Sequence, residues 1–201
     1  MIEFIRSDEL TFDPRPALGL IMAEGFMRHL SFFTTDEAKL GRAFEHSFVL
    51  EHFYVALIDG EIAAFVGCSD RTAPIIRLQR KDLCRHLGLV KGIIASIFVR
   101  KQMIEKPYPF ILPPNTGSID FVAASKKHRG KGVTKQLMQY VMNQCGFTDY
   151  VLEVVDNNPN AIALYEKLGF KEFKRVKEKQ AEHAGFDYYV YMTTGDVSSL
   201  C

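Results

Sequence analysis

The stretch that most constrains this chain is a single turn, Lys126-Lys127-His128-Arg129-Gly130-Lys131-Gly132-Val133-Thr134. Before it, Ser118-Ile119-Asp120-Phe121-Val122-Ala123-Ala124 is apolar-rich and follows a Pro/Asn/Gly break, which predicts a strand. After it, Leu137, Met138, Tyr140, Val141 and Met142 cluster at helical spacing, so a helix begins near Gly132. A strand that feeds such a turn and then a helix points unbonded backbone N–H groups outward, at the positive end of the helix dipole. That arrangement suits a phosphate. Gly130 and Gly132 let the backbone approach an anion closely, and Arg129 and Lys131 add positive charge. Two glycines in a strand–helix turn also serve packing alone, so the turn needs a second signal. It fits neither GxxxxGK[ST] nor GxGxxG, and the usual nucleotide readings lose weight.

The second signal lies downstream. Val151-Leu152-Glu153-Val154-Val155 reads as a strand, followed by Asp156-Asn157-Asn158-Pro159-Asn160 and the helical run Ala161 to Phe170. Together the two blocks resemble the GNAT superfamily of acyl-CoA-dependent N-acyltransferases. The family's turn runs R-x-x-G-x-[GA], against Arg129-x-x-Gly132-x-Thr134 here. Its second block runs N-x-x-A-x-x-L-Y-x-x-x-G-F, matched by Asn158, Ala161, Leu164, Tyr165, Gly169 and Phe170. Thr134 departs from the Gly or Ala of the pattern, and Lys126 stands where the family often has Pro.

The resemblance implies an α/β (α+β) fold with a mixed, mostly antiparallel twisted sheet and helices on both faces. The sheet is expected to splay where the strand before the turn runs parallel to Val151–Val155. It also implies acetyl-CoA as cosubstrate and a primary amine as acceptor, attacking the thioester directly. The turn (Arg129, Gly130, Lys131, Gly132, Val133 and Thr134) then holds the pyrophosphate. The strand residues Val122, Ala123 and Ala124 pair with the pantetheine arm and supply the amide that polarises the carbonyl. Asn158 bonds the arm, and Tyr165 is the general acid.

Each assignment has a plainer alternative. Tyr165 sits among Leu164, Leu168 and Phe170 and also suits a core position. Asn158 before Pro159 suits a helix N-cap. Asp120 and Glu153 lie on the two strands flanking the cleft and are the candidate bases, directly or through water. Both equally suit pairing with a Lys or Arg, and strand alternation alone leaves open which face meets the acceptor. His128 reads as solvated. The enzyme reading has a rival, a non-catalytic acyl-CoA-binding or interaction module.

Composition narrows the classes. With 201 residues, 47% hydrophobic and 24% charged, the chain reads as one globular domain over residues 1–201. A net charge of +1 argues against a nucleic-acid partner. The four cysteines show no CxxC or metal-ligand spacing, so reduced thiols and no metal are expected. The charged N-terminus does not resemble a signal peptide, and no apolar run is long enough to span a bilayer. A cytoplasmic enzyme acting on a small-molecule or peptide amine is expected, without membrane contact and with a homodimer left open.

Elsewhere, Ile2–Arg6 predicts a strand, and Asp13-Pro14 a helix start. A second helix follows Thr34-Thr35-Asp36, with Ala38, Leu40, Phe44 and Phe48 as its buried side. Asp59-Gly60 between two apolar runs marks a tight hairpin. Residues 70–116 form an insertion before the cofactor-binding strand. Ile75–Leu87 and Leu89–Met103 read as helices rich in Arg and Lys, packed over the sheet edge in preference to lying on a membrane. Pro107, Pro109, Pro113 and Pro114 forbid helix and favour a stiff extended segment over the acceptor side. Strands at Phe170–Lys177 and Phe186–Met192 and a frayed tail at Ser198–Cys201 complete the reading.

Overall fold

In the computed structural model residues 1–196 are described, apart from the side chains of Arg28, His29, Met103 and His183. The tail Ser198–Cys201 lies outside them. One sheet of seven strands organises the chain: β1 (Ile2–Arg6), β2 (Phe53–Ile58), β3 (Glu61–Ser69), β4 (Thr116–Ala124), β5 (Asp149–Val155), β6 (Lys171–Lys177) and β7 (Tyr188–Thr193). Their order is β1-β2-β3-β4-β5-β7-β6, antiparallel throughout except for the parallel β4–β5 pair. The expected mixed, mostly antiparallel sheet is observed. Asp59 and Gly60 join β2 to β3 at φ +52° and +80°, the left-handed geometry that a two-residue hairpin turn requires.

Helices cover both faces. On one face lie α1 (Arg15–Leu30), α2 (Glu37–Phe44), α3 (Arg80–Leu87) and α4 (Leu89–Val99), around a core that includes Met22, Leu40, Phe44, Phe53, Phe65 and Leu83. On the other lie α5 (Val133–Gln144) and α6 (Pro159–Glu166), over Val66, Ile119, Leu137, Met138 and Leu152. The caps follow the sequence in part. Asp36 caps α2, its Oδ1 accepting from the Lys39 amide at 2.9 Å, whereas Asp13, which accepts from the Arg15 amide at 3.1 Å, stands one residue ahead of the α1 cap position held by Pro14. The α2 face turns slightly from expectation: Leu40, Ala43 and Phe44 are buried, whereas Ala38 is exposed.

The insertion departs more. Helix is expected from Ile75, but residues 75–79 are not helical, and Ile76 bridges to Phe48. Val49 N–H donates to Ile75 O, and Arg77 N–H to Ser47 O. Those amides satisfy the loop after α2, so helix starts only at Arg80. After α4 the chain passes through a π turn (Arg100–Ile104) into the proline-rich segment. There Phe110 packs edge-on against Phe173 and Tyr191, at 4.9 and 5.5 Å between ring centroids.

Candidate active site

The site begins with a defect in β4. Between Phe65 and Gly67 on β3 the partner strand advances from Ala123 to Asp120, one residue too many. Phe121 absorbs the surplus at φ +52°, a left-handed conformation rare for an aromatic residue. The bulge bends β4 away from β5, and their parallel pairing ends at Ile119↔Leu152. Beyond that point the strands diverge, β5 continuing along β7 to Val155 and β4 along β3 to Ala124.

Among the described residues, the edge of β4 that faces the gap has no partner strand beyond Ile119. Ser125 N–H donates to Ala63 O at 2.9 Å, toward β3. By strand alternation the amides of Ala124 and Val122 face the opposite edge, into the gap. Ala123, included in the expected cofactor strand, instead presents its backbone to β3 and its side chain to the core.

The glycine turn closes the wide end. Gly130 and Gly132 adopt φ +74° and +77°, and a Cβ at either would meet nothing within 4 Å, so open space lies above both. Gln136 N–H donates to Gly132 O at 3.3 Å; among the described residues, the amides of Val133, Thr134 and Lys135 before it have no backbone acceptor. Val133 buries its side chain in the core, so only its backbone is available. Lys126 and Lys127 do not belong to this anion site: Lys126 Nζ pairs with Glu37 at 2.5 Å and Lys127 Nζ with Glu61. Arg129 and Lys131 remain exposed, with Arg129 Nε anchored to Ala124 O at 3.1 Å. His128 is buried, its Nδ1 3.0 Å from Ser125 Oγ, and so shapes the turn instead of being solvated.

A cleft of about 560 Å³ runs through the gap and brings together Asp120, Val122, Glu153, Asn158 and Tyr165. Tyr165 belongs to the core and also lines the cleft. Its ring packs 6.1 Å from Phe170 and the residue is only 7% exposed, and among the described residues burial alone acts on its hydroxyl, with no hydrogen bond to it. Burial raises the phenol pKa above its usual value, so it is a neutral donor. Asn158 caps α6, with Oδ1 accepting from the Ala161 amide at 3.3 Å, which leaves its amide N–H₂ for the cleft.

Both carboxylates have cationic partners that the sequence does not announce. Asp120 accepts from Ser118 Oγ at 2.9 Å and meets Arg71 at 3.5 Å. Arg71 also donates to Lys106 O at 3.0 Å and lies 4.0 Å over the Tyr108 ring, whose hydroxyl bonds Ser118 at 2.7 Å. Burial raises the Asp120 carboxyl, against the smaller lowering by Arg71. Glu153 takes Lys106 Nζ at 2.6 Å, and burial pulls that ammonium below its usual range despite the pairing. Arg71, Lys106 and Tyr108 come from the insertion. Only Tyr108 has a sequence cue, its place in the proline-rich segment expected over the acceptor side; Arg71 and Lys106 lie outside that segment. A second cavity, of about 480 Å³, shares Arg71, Asp120 and Phe121 with the cleft and lies beyond the Arg71–Asp120 pair. Among the described residues no group of three or more His, Cys, Asp or Glu side chains is placed to hold a metal.

Comparison with known proteins agrees with this geometry. The acetyltransferase (GNAT) family model matches residues 26–170. A stretch of 63 residues is 38% identical to N-alpha-acetyltransferase 30 of Schizosaccharomyces pombe, covering 30% of this chain and 42% of that protein. The chain thus matches less than half the length of this relative. The fold is shared with an N-acetyltransferase from Staphylococcus aureus Mu50, at TM-score 0.55 and 14% identity over 96% of this chain and 99% of that one. It is shared also with a chain of the NatC complex bound to Gag peptide and CoA, at TM-score 0.52 and 14% identity over 96% of each.

Proposed function

This chain belongs to the acetyltransferase (GNAT) family, and from that premise we propose that it transfers the acetyl group of acetyl-CoA to a primary amine by direct attack. The observation that carries the reading is the unpaired edge of β4 running into a glycine turn with unbonded amides. That is a strand-like docking edge for a pantetheine amide chain, ending in an anion site for pyrophosphate.

In this reading the chain performs four tasks. The Val122 amide donates to the thioester oxygen and stabilises the negative charge that develops there. Asp120, with its pKa raised by burial, takes the surplus proton of the acceptor ammonium, directly or through a water. The amine nitrogen then bonds the acetyl carbon as the carbon–sulfur bond breaks. Tyr165 gives its proton to the departing sulfur and regains one as the new amide nitrogen sheds its remaining surplus proton, directly or through water. Asn158 orients the arm, while Arg129 and Lys131 add charge at the turn. Glu153, held by Lys106, shapes the acceptor side; a base role for it is the weaker alternative.

The acceptor class to test first is a peptide N-terminus. Support comes from the segment similar to N-alpha-acetyltransferase 30 and from the fold shared with a chain of the NatC complex, which was solved bound to Gag peptide and CoA. The cytoplasm is the compartment expected for such an enzyme. Calorimetric titration with acetyl-CoA, followed by an amine and peptide screen with thiol detection, tests the proposal. Saturable binding with CoA release on one amine class is expected. Absence of binding at millimolar acetyl-CoA sinks it, and binding without turnover on any amine favours the non-catalytic module.

A further inference from the structure

Helix α4 is buried on one side only. Gly92, Ala95, Ser96 and Val99 face the protein. On the other side Leu89, Val90, Ile94 and Ile97 are 70%, 69%, 45% and 52% exposed. Phe32 continues this surface at 74% exposure, joined through the Phe33 ring to Phe98. Large apolar side chains gathered on one face mark an interaction site. At these exposures Leu89, Val90, Ile94 and Ile97 protrude from the helix and line neither cavity, so a partner helix finds no trough among them to lie in.

The charge around the patch is one-sided. Residues 80–105 hold Arg80, Lys81, Arg85, Lys91, Arg100 and Lys101 against Asp82 and Glu105, a net of +4 in a chain whose net is +1. All six cations are exposed. Arg100 and Lys101 follow Ile97 by three and four positions and extend its face. A symmetric pairing of two copies through this face would set two such basic rims against each other.

We propose that this face docks on an anionic lipid surface, the bare side of α4 entering the interfacial layer while the basic rim meets the headgroups. Protruding aliphatic side chains within a cationic rim are the two components of interfacial binding, and neither alone suffices. The contact is peripheral, since no helix of the described residues is long and apolar enough to cross a membrane. Phe32 and Phe98 also line the cleft, so docking turns the cleft toward the surface and favours acceptors held there.

Vesicle flotation tests this without reference to catalysis. The full chain is mixed with phosphatidylcholine vesicles, with or without about one-third phosphatidylserine, at low and high salt. Partition onto the anionic vesicles should exceed that onto neutral ones by about tenfold or more and fall with added salt. Val90→Glu combined with Ile94→Glu should abolish it; both sites are exposed, and a melting curve with acetyl-CoA titration checks that the variant is folded. Equal partition onto both vesicle types, or onto neither, overturns the proposal. So does a folded double variant that still floats. A concentration-dependent dimer that the double variant dissolves would also overturn it, by assigning the face to a second copy.

Discussion

Lys106 reaches from the insertion to within 2.6 Å of the Glu153 carboxylate on β5, while its ammonium lies over the Tyr189 ring, 2.9 Å from the centroid. The side chains of Lys106 and Glu153 are 22% and 25% exposed, so each largely relies on the other for its charge. Lys106→Met or Glu153→Gln alone should cost about 1–3 kcal/mol, because a partly buried charge loses its partner. The double variant should recover much of the loss. Urea unfolding of the four proteins checks this. Additive single effects would show that the pair is not coupled.

Asp120 gives a pH signature. Its folded-state pKa lies above the unfolded value, because burial outweighs the Arg71 contact. Between those two values the folded chain keeps a proton that the unfolded chain has lost, so stability falls as pH rises through that window. Asp120→Asn removes the titration. The stability of the wild type relative to Asp120→Asn should therefore decline as pH rises from just below the ordinary carboxylate range. Parallel denaturant curves from acid to neutral pH read this directly. A rising difference would show that Arg71 dominates.

Tyr165 separates packing from chemistry. Tyr165→Phe keeps the ring against Phe170 and removes a hydroxyl with no hydrogen bond among the described residues, so melting temperature and acetyl-CoA affinity should hardly change. Turnover should fall about 10²–10⁴-fold, the usual contribution of a positioned acid. Because burial raises the phenol, the wild-type rate should show no Tyr165 limb up to its ordinary range near pH 10. Wild-type turnover in the variant would remove Tyr165 from the mechanism.

Gly132→Val tests the turn. A side chain meets nothing of the protein there, but the φ of +77° is strained for valine. A stability loss of about 1–2 kcal/mol is expected from the left-handed backbone. Acetyl-CoA affinity should fall by about tenfold or more, since the side chain projects from a backbone that must meet a phosphate closely. Calorimetry at a temperature where the variant is folded separates the two effects. Unchanged affinity would place the pyrophosphate elsewhere.

What this chain's sequence determined by itself is what local geometry controls. Asp59-Gly60 specifies a hairpin because few other residues accept that backbone. The spacing from Arg129 to Gly132 and from Asn158 to Phe170 specifies a strand–turn–helix and a capped helix, each readable within a dozen or so residues. Tertiary structure alone decided which charges meet. Asp120 and Arg71 are 49 residues apart, and Glu153 and Lys106 are 47 apart, so no periodicity links them. It set Lys126 beside Glu37 and Lys127 beside Glu61, apart from the charge that Arg129 and Lys131 bring to the turn. It drew Ile75 to Gln79 out of helix, because the chain near Ser47 and Val49 offered those residues backbone partners. The β4 bulge belongs to the same class, since Phe121 takes a conformation its side chain disfavours, between residues paired with β3 and with its ring 6.0 Å from Phe26 on α1. Local propensity selects each element, whereas the path of the chain brings distant side chains into contact and so decides the environment in which the site works.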